Sequence, residues 1–227
     1  MIAGLLLAAG GSRRLGEPKA LLTDATGEPL VVRVVRQLGE AGCGEVVVVV
    51  GAERARVRAA LEAVVWPMAV AILEHDGWVD GMGTSIARGI RHVAGRLLAT
   101  GPDAGGADAA PTISPTGPTA VLIAAVDMPS VTTEHLAQLR DASAGGMRRT
   151  ASSYAAADGT ILRGIPAVLP RADWSWLAAL DGDRGARVLF AEPGTALVPL
   201  PDGALDLDTP ADVARWRSAQ GLPTPTP

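Results

Sequence analysis

Five consecutive valines, Val46 to Val50, closed by Gly51, narrow what this chain can fold into more than any other feature. A β-branched run with no polar residue at alternate positions has no face to give to water, so it belongs in a strand covered on both sides. Such strands occur in parallel sheets, whose crossovers are helices. The flanking segments supply them. Pro29 to Leu38 carries apolar residues at Leu30, Val31, Val34, Val35 and Leu38, a helical stripe with Pro29 suited to its first turn and Gly39 to Gly44 to its end. Ala52 to Val65 returns to helix, and Val70 to Leu73 to strand.

The alternation continues on both sides. Ile2 to Leu7 reads as a buried strand that breaks into a glycine-rich loop. Gly81-Met82-Gly83-Thr84-Ser85 reads as a turn opening a helix from Ile86 to Leu98, with Thr84 or Ser85 as its N-cap. Ala120 to Val126 is again a buried strand, followed by Asp127-Met128-Pro129, and Thr132 to Ala142 a helix. Strands from Ala151 to Ala157 and from Thr160 to Leu162 flank Asp158-Gly159, the strongest hairpin signal in the chain. The expected fold is α/β: one Rossmann-like domain, mostly a parallel sheet with helices on both faces and a small antiparallel excursion. It spans 1–220, with an aperiodic Gly/Pro/Ala/Thr/Asp segment at about 99–118 expected as a flexible surface insertion and a disordered Pro/Thr tail at 221–227.

Composition removes several function classes. The net charge is −4 and the basic residues are scattered, which argues against a nucleic-acid footprint and for a small-molecule partner. Cys43 is the sole cysteine, so neither an internal disulfide nor a cysteine-based metal cluster is available. No apolar run is long enough for a bilayer. Arginines follow the N-terminal apolar stretch where a signal peptide would have them first. The expected location is cytoplasmic, with no membrane contact.

The chain has 19 arginines and one lysine, and that lysine, Lys19, ends the run Leu7-Ala8-Ala9-Gly10-Gly11-Ser12-Arg13-Arg14-Leu15-Gly16-Glu17-Pro18-Lys19. Glycines let backbone N–H groups crowd an anion, while Arg14 and Lys19 add fixed positive charge. An ammonium is a compact point charge that the arginine fork does not replace. The spacing fits neither Walker A nor the dinucleotide fingerprint. The pattern Leu-Ala-Ala-Gly-x-Ser-x-Arg-x-Gly-x-x-Lys resembles the signature loop of the MobA-like nucleotidyltransferases, on the side of the molybdenum cofactor cytidylyltransferases (MocA-like).

That resemblance implies a nucleotide-diphospho-sugar transferase-like fold and transfer of a nucleoside monophosphate from an NTP to a phosphorylated acceptor, molybdopterin cofactor, with release of pyrophosphate. Leu7 to Ser12, Lys19, Gly81 and Ser85 would bind the nucleotide, and Arg14, Lys19 and Asp127 would act in catalysis. Asp127 is placed at a strand end, and Asp-Met-Pro is similar to the family's metal-binding motif. Asp206-Leu207-Asp208-Thr209-Pro210 resembles the family's Asp-x-Asp-Thr-Pro element, which makes Asp208 the second ligand of Mg²⁺ and Thr209 a cap for a helix from Pro210. Arg163-Gly164-Ile165-Pro166 and Gly182 to Arg187 are similar to its acceptor motifs, which assigns Arg163, Gly164, Pro166, Gly182 and Arg187 to the acceptor. CTP is the favoured donor because Ala9 stands where guanylyltransferase relatives more often have glycine, and a molybdoenzyme or its chaperone would be a transient partner.

Three departures leave the nucleotide loop untouched and bear on the identity of the acceptor. Ile165 stands where relatives have His or Asn, Glu74 where Asn is common, and Gly83 where Ser is common. Those at Glu74 and Ile165 keep in view an NAD(P)H-dependent branch resembling nicotine blue oxidoreductase, and a guanylyltransferase of the same fold would differ only in base recognition. A non-catalytic nucleotide sensor is disfavoured by the joint presence of Lys19, Asp127 and Asp208. His75, His92 and His135 read as packing or solvated residues. The tryptophans at 66, 78, 174, 176 and 216 read as core or edge packing and not as base-stacking platforms, and Trp174 and Trp176, near the acceptor motif, are the pair that stays in view.

Overall fold

The computed structural model describes residues 1–99, 117–156 and 158–222. Residues 100–116 of the expected insertion and 223–227 of the expected tail lie outside them. Among the described residues seven strands form one sheet: β1 (Ile2–Ala8), β2 (Glu45–Val50), β3 (Ala69–Glu74), β4 (Ala120–Ala125), β5 (Thr150–Ala155), β6 (Ile161–Pro170) and β7 (Ala196–Pro199), in spatial order β3-β2-β1-β4-β6-β5-β7. β6 runs antiparallel to both neighbours, and the other pairings are parallel. The fold is the expected mixed α/β sheet, flanked by α1 (Leu30–Glu40), α2 (Arg54–Glu62), α3 (Met82–Ala99), α4 (Thr133–Ala142), α5 (Trp174–Ala178), α6 (Arg187–Phe190) and α7 (Pro210–Ala219).

The valine run explains the two layers. Strand side chains alternate across a sheet, so Val46, Val48 and Val50 enter one core with α1, α2, α4 and α7. Val47 and Val49 enter the other with α3, α5 and α6. All five are fully buried. Each such side chain contributes about 1.5–3 kcal/mol on burial, and one helical layer alone could not collect it from both faces.

Several boundaries differ from the sequence reading. Pro29 is the N-cap of α1, one residue before its first turn, and α1 continues through Gly39 to Glu40. α3 begins at Met82, so Thr84 and Ser85 lie inside the helix and neither is its N-cap. Instead the Thr84 hydroxyl donates to Gly81 O at 2.8 Å and contacts His75 Nε2 at 2.9 Å. The second hairpin strand runs eight residues past Leu162, to Pro170, and takes in the whole Arg163-Gly164-Ile165-Pro166 motif. The expected helix from Pro210 forms, with Thr209 and Asp212 completing a capping box.

The strand order reverses between β1 and β4, since β1 has β2 on one side and β4 on the other. A crevice opens outside the carboxyl ends of the strands at such a point. The loops after Ala8 and Ala125 border it.

Candidate active site

The loop after β1 is held by Ser12. Its carbonyl accepts from Leu15 N at 3.1 Å and Gly16 N at 3.0 Å, and its hydroxyl accepts from Lys19 N at 3.0 Å. Ser12 takes a left-handed φ of 47°, a conformation that non-glycine residues adopt at some cost. The result is a closed arch that returns Lys19 to the mouth of the crevice. Gly10 faces open space: no atom lies within 4 Å of where a Cβ would be.

Lys19 carries the centre of the site. Its Nζ donates to Asp127 Oδ2 at 3.0 Å and to Asp208 Oδ1 at 2.5 Å, and its side chain is only 15% exposed. Burial works against the ammonium, yet the two carboxylates outweigh it and hold the pKa above the ordinary lysine value. Arg14 NH2, on an exposed side chain, reaches Asp208 Oδ2 at 2.6 Å. Hydrogen bonding to Lys19, with Arg14 adding to the field, keeps the Asp208 carboxyl below its usual range.

Two distant segments of the chain meet here through the backbone. Leu207 N donates to Asp127 O at 3.0 Å, which pins the Asp206–Asp208 segment to the end of β4. Asp206 is consequently crowded by like charge. Burial, then Asp127 and Asp208, push its carboxyl up to about 6, although part of the side chain stays open to solvent.

Two clefts leave this centre. The first is lined by Leu7, Ala8, Ala9, Gly10, Ser12 and Lys19 from the β1 side and by Gly81 and Ser85 from the start of α3, with Trp78 and Met82 beside them. Gly11 is not in the lining, because the Trp78 ring covers it. The second, on the β6 side, is lined by Gly164, Ile165, Tyr154, Arg187, Asp183 and Asp206 over an apolar floor of Met82, Ile86, Met128 and Phe190. Asp127, Ala125 and Met82 border both, so Asp127 stands at their junction.

The remaining expected acceptor residues, Arg163, Pro166 and Gly182, do not line the second cleft. Arg163 NH1 donates to Phe190 O at 3.1 Å, and Pro166 O accepts from Ser152 Oγ at 2.7 Å. Gly182 O accepts from Gly83 N at 2.9 Å, which docks the 181–184 loop onto the first turn of α3. That contact explains glycine at 81 and 83, because a Cβ at either would meet the backbone of Gly182 at 2.4 and 2.8 Å. Glu74 does not face the first cleft. Its carboxylate pairs with Arg58 at 2.9 Å and Arg54 at 3.6 Å on α2.

Trp78, Tyr154, Asp183 and Asp206 were not among the residues that sequence reasoning assigned to the site. Trp78 packs against the core as expected, and its ring also lines the first cleft. Trp174 is buried in the core below α3, while Trp176 borders a separate surface hollow with Ala179 to Arg184. His135 is buried, 2.8 Å from Ser152 Oγ, a packing role. Tyr154, the single tyrosine of the chain, has its hydroxyl raised by burial and by Asp206, with Arg187 opposing.

Among the described residues, no group of three or more His, Cys, Asp or Glu side chains is arranged to hold a metal ion, and no helix is long and apolar enough to cross a membrane. The paired carboxylates of Asp127 and Asp208 nevertheless form an oxygen donor set converging on one cation, the Lys19 ammonium.

Comparison with known proteins agrees with the architecture. The chain is 32% identical over 197 residues to nicotine blue oxidoreductase of Paenarthrobacter nicotinovorans, covering 84% of this chain and 82% of that protein. A nucleotidyl transferase from Methanothermobacter superposes with a TM-score of 0.67 at 22% identity, over 97% of each chain. A Mycobacterium tuberculosis protein crystallised in complex with manganese superposes with a TM-score of 0.65 at 22% identity, over 96% of this chain and 98% of that one. These two structural matches establish the shared fold. The model of the MobA-like NTP transferase domain matches residues 4–197, and the chain belongs to that family.

Proposed function

We propose that this protein transfers a nucleoside monophosphate, CMP in preference, from an NTP to a phosphorylated acceptor, molybdopterin cofactor, with release of pyrophosphate. The observation that carries this reading is the position of Asp127 at the junction of two clefts, with Lys19 bound to it from the glycine-rich loop. A nucleotide in the first cleft and an acceptor in the second would present their phosphates to each other there.

In this reaction an acceptor phosphate oxygen attacks the α-phosphorus, and the bond from that phosphorus to the pyrophosphate oxygen breaks. No general base is needed, since the acceptor oxygen is already ionised at neutral pH. The protein's work is alignment of two anions and neutralisation of the charge that builds up. Backbone amides of the Ala9 to Ser12 loop would hold the nucleotide, and Lys19 and Arg14 would stabilise the phosphates and the departing pyrophosphate. Arg187, the cation of the second cleft, would hold the acceptor phosphate.

Asp127 and Asp208 fit a hard divalent cation, because Mg²⁺ typically takes one or two carboxylates and completes its shell with water and substrate phosphates. Bound there, Mg²⁺ would neutralise charge on the transferring group. The manganese found in the Mycobacterium tuberculosis relative of the same fold is in keeping with this. The preference for CTP rests on the Ala9 methyl, which borders the first cleft and would narrow it beside a bound base. One methyl discriminates by about 1–3 kcal/mol, a preference and not exclusivity. A molybdoenzyme or its chaperone would receive the product.

Two observations favour a second reading: 32% identity to nicotine blue oxidoreductase, and the apolar side chain of Ile165 in the second cleft. There the first cleft would take NAD(P)H and the second an organic oxidant. Thermal shifts with CTP, GTP, ATP, UTP and NADPH, each with and without Mg²⁺, separate the two, because a ligand selective for the folded state raises its melting temperature. Transfer predicts a Mg²⁺-dependent shift that is largest with CTP. A shift with NADPH alone refutes it.

A further inference from the structure

Trp78 occupies a place that no motif accounts for. It sits in the short 3₁₀ turn Asp76–Asp80, between β3 and α3. Its ring spans from the nucleotide loop to the end of β2. A methyl on Gly11 would come within 2.7 Å of Trp78 Cη2, and one on Gly51 within 2.5 Å of Trp78 Cγ. Glycine at both positions is what lets an indole lie so close to the loop backbone. The Arg13 guanidinium stands 5.9 Å from the ring centroid, a cation–π distance. The ring is therefore gripped on several sides while it lines the first cleft.

The same ring also borders a second hollow, outside the amino end of α2, lined by Gly51, Glu53, Arg54, Arg56 and Asp76. Trp78 is the partition between them. The other walls of the first cleft are small or flexible: Leu7, Ala8, Ala9, Gly10, Met82 and Ser85. None offers an aromatic face.

We infer that Trp78 is the stacking wall of the nucleotide cleft, packing against the planar base of the donor and closing the cleft at the length of a single nucleotide. The inference rests on the proposed use of that cleft for a nucleotide, and it adds the residue on which the base stacks. Aromatic side chains suit this role because every base has a π-face, so the ring contributes affinity while neighbouring polar groups choose the base.

The test is direct titration of CTP, in the presence of Mg²⁺, and of NADPH into wild type, Trp78→Phe and Trp78→Leu by calorimetry. Leucine keeps apolar volume and loses the planar face, and phenylalanine keeps both in smaller form. Losing one base–aromatic stack weakens binding by about tenfold, so CTP should bind Trp78→Leu about tenfold more weakly and Trp78→Phe within about threefold of wild type. The melting temperatures of the nucleotide-free variants report the fold separately, and Trp78→Met, which also keeps apolar volume without a planar face and should show the same tenfold loss, carries the test if Trp78→Leu does not fold. Equal CTP affinity in wild type and Trp78→Leu overturns the inference, as does the absence of any nucleotide binding to wild type. Wild type that prefers NADPH, with both ligands weakened in Trp78→Leu, keeps the stacking wall, removes the limit to one nucleotide and overturns the transfer reading instead.

Discussion

Lys19 Nζ lies 3.0 Å from Asp127 Oδ2 across 108 residues of sequence, and the strand order makes that contact possible. β1 and β4 are parallel neighbours, with Leu7 opposite Ala125, so the loops leaving their carboxyl ends emerge side by side. The Asp206–Asp208 segment joins them through Leu207 N and Asp127 O. One ammonium thereby faces the carboxylates that two distant segments supply.

Replacing this ammonium is predicted to be harmful even when charge is kept. Lys19→Arg brings a planar fork into a space measured by two contacts of 3.0 and 2.5 Å, where the point charge cannot be reproduced. Loss of one preorganised electrostatic contact typically lowers turnover by about 100-fold or more. Pyrophosphate release by Lys19→Arg should fall by that order, with an unchanged circular dichroism spectrum. Wild-type kinetics in this variant would show that the lone lysine has no special part.

Gly83→Ala sets two effects against each other. Alanine in a helix is better than glycine by about 1 kcal/mol. Here its Cβ would stand 2.5 Å from Arg184 O and 2.8 Å from Gly182 O, both backbone atoms. Overpacking of that kind costs about 1–3 kcal/mol, so the clash should win and the variant should melt below wild type. A higher melting temperature would mean that the 181–184 loop yields freely.

The buried imidazole of His135 predicts a pH dependence of stability. Burial holds its pKa below the ordinary histidine value of 6.5. The unfolded chain therefore binds a proton first as pH falls. This contribution is fully present above about pH 6.5 and is lost as pH drops through that value toward the folded pKa. Denaturant midpoints between pH 7.5 and pH 5.5 should fall more for wild type than for His135→Gln. Parallel curves would remove His135 from the acid response.

Asp206→Asn should stabilise the protein above pH 6. In the folded chain burial and the neighbouring Asp127 and Asp208 raise this carboxyl to about 6, so the penalty for ionising it grows between its unfolded value and 6 and is complete above. Solvent screening of a partly exposed side chain limits the gain to about 1 kcal/mol. Melting temperatures of the two proteins should converge near pH 4 and separate by pH 7. The opposite order at pH 7 would refute the crowding of charge.

How much of this was legible in the sequence depended on whether the cause was local. β1, β2 and β4 were readable because a strand buried on both faces needs an unbroken apolar run. The glycine loop was readable because its chemistry is written in consecutive residues. α3 was started late because Gly81 and Gly83 look like a turn, whereas they are glycine to admit the 181–184 loop, a tertiary cause. β6 was cut short because Gly164 and Pro166 break a strand pattern, yet its pairing with β4 and β5 carries it to Pro170. β7 is a four-residue edge strand with no period to detect. Trp78 and Asp206 were missed as site residues because what places them there is packing against Gly11 and Gly51 in one case and a backbone bond from Leu207 to Asp127 in the other.

The most direct measurement is pyrophosphate release from CTP and from GTP, each with Mg²⁺ and molybdopterin, by wild type and by Asp127→Asn. Asp127 is placed at the junction of the two clefts and 28% of its side chain is exposed, so the amide should leave the fold intact. Release should require Mg²⁺, with kcat/KM higher for CTP, and should fall by about 100-fold or more in the variant. Equal or reversed preference would refute the cytidylyl assignment. Undiminished release by Asp127→Asn, or no release from either nucleotide by wild type, would contradict the transfer mechanism itself.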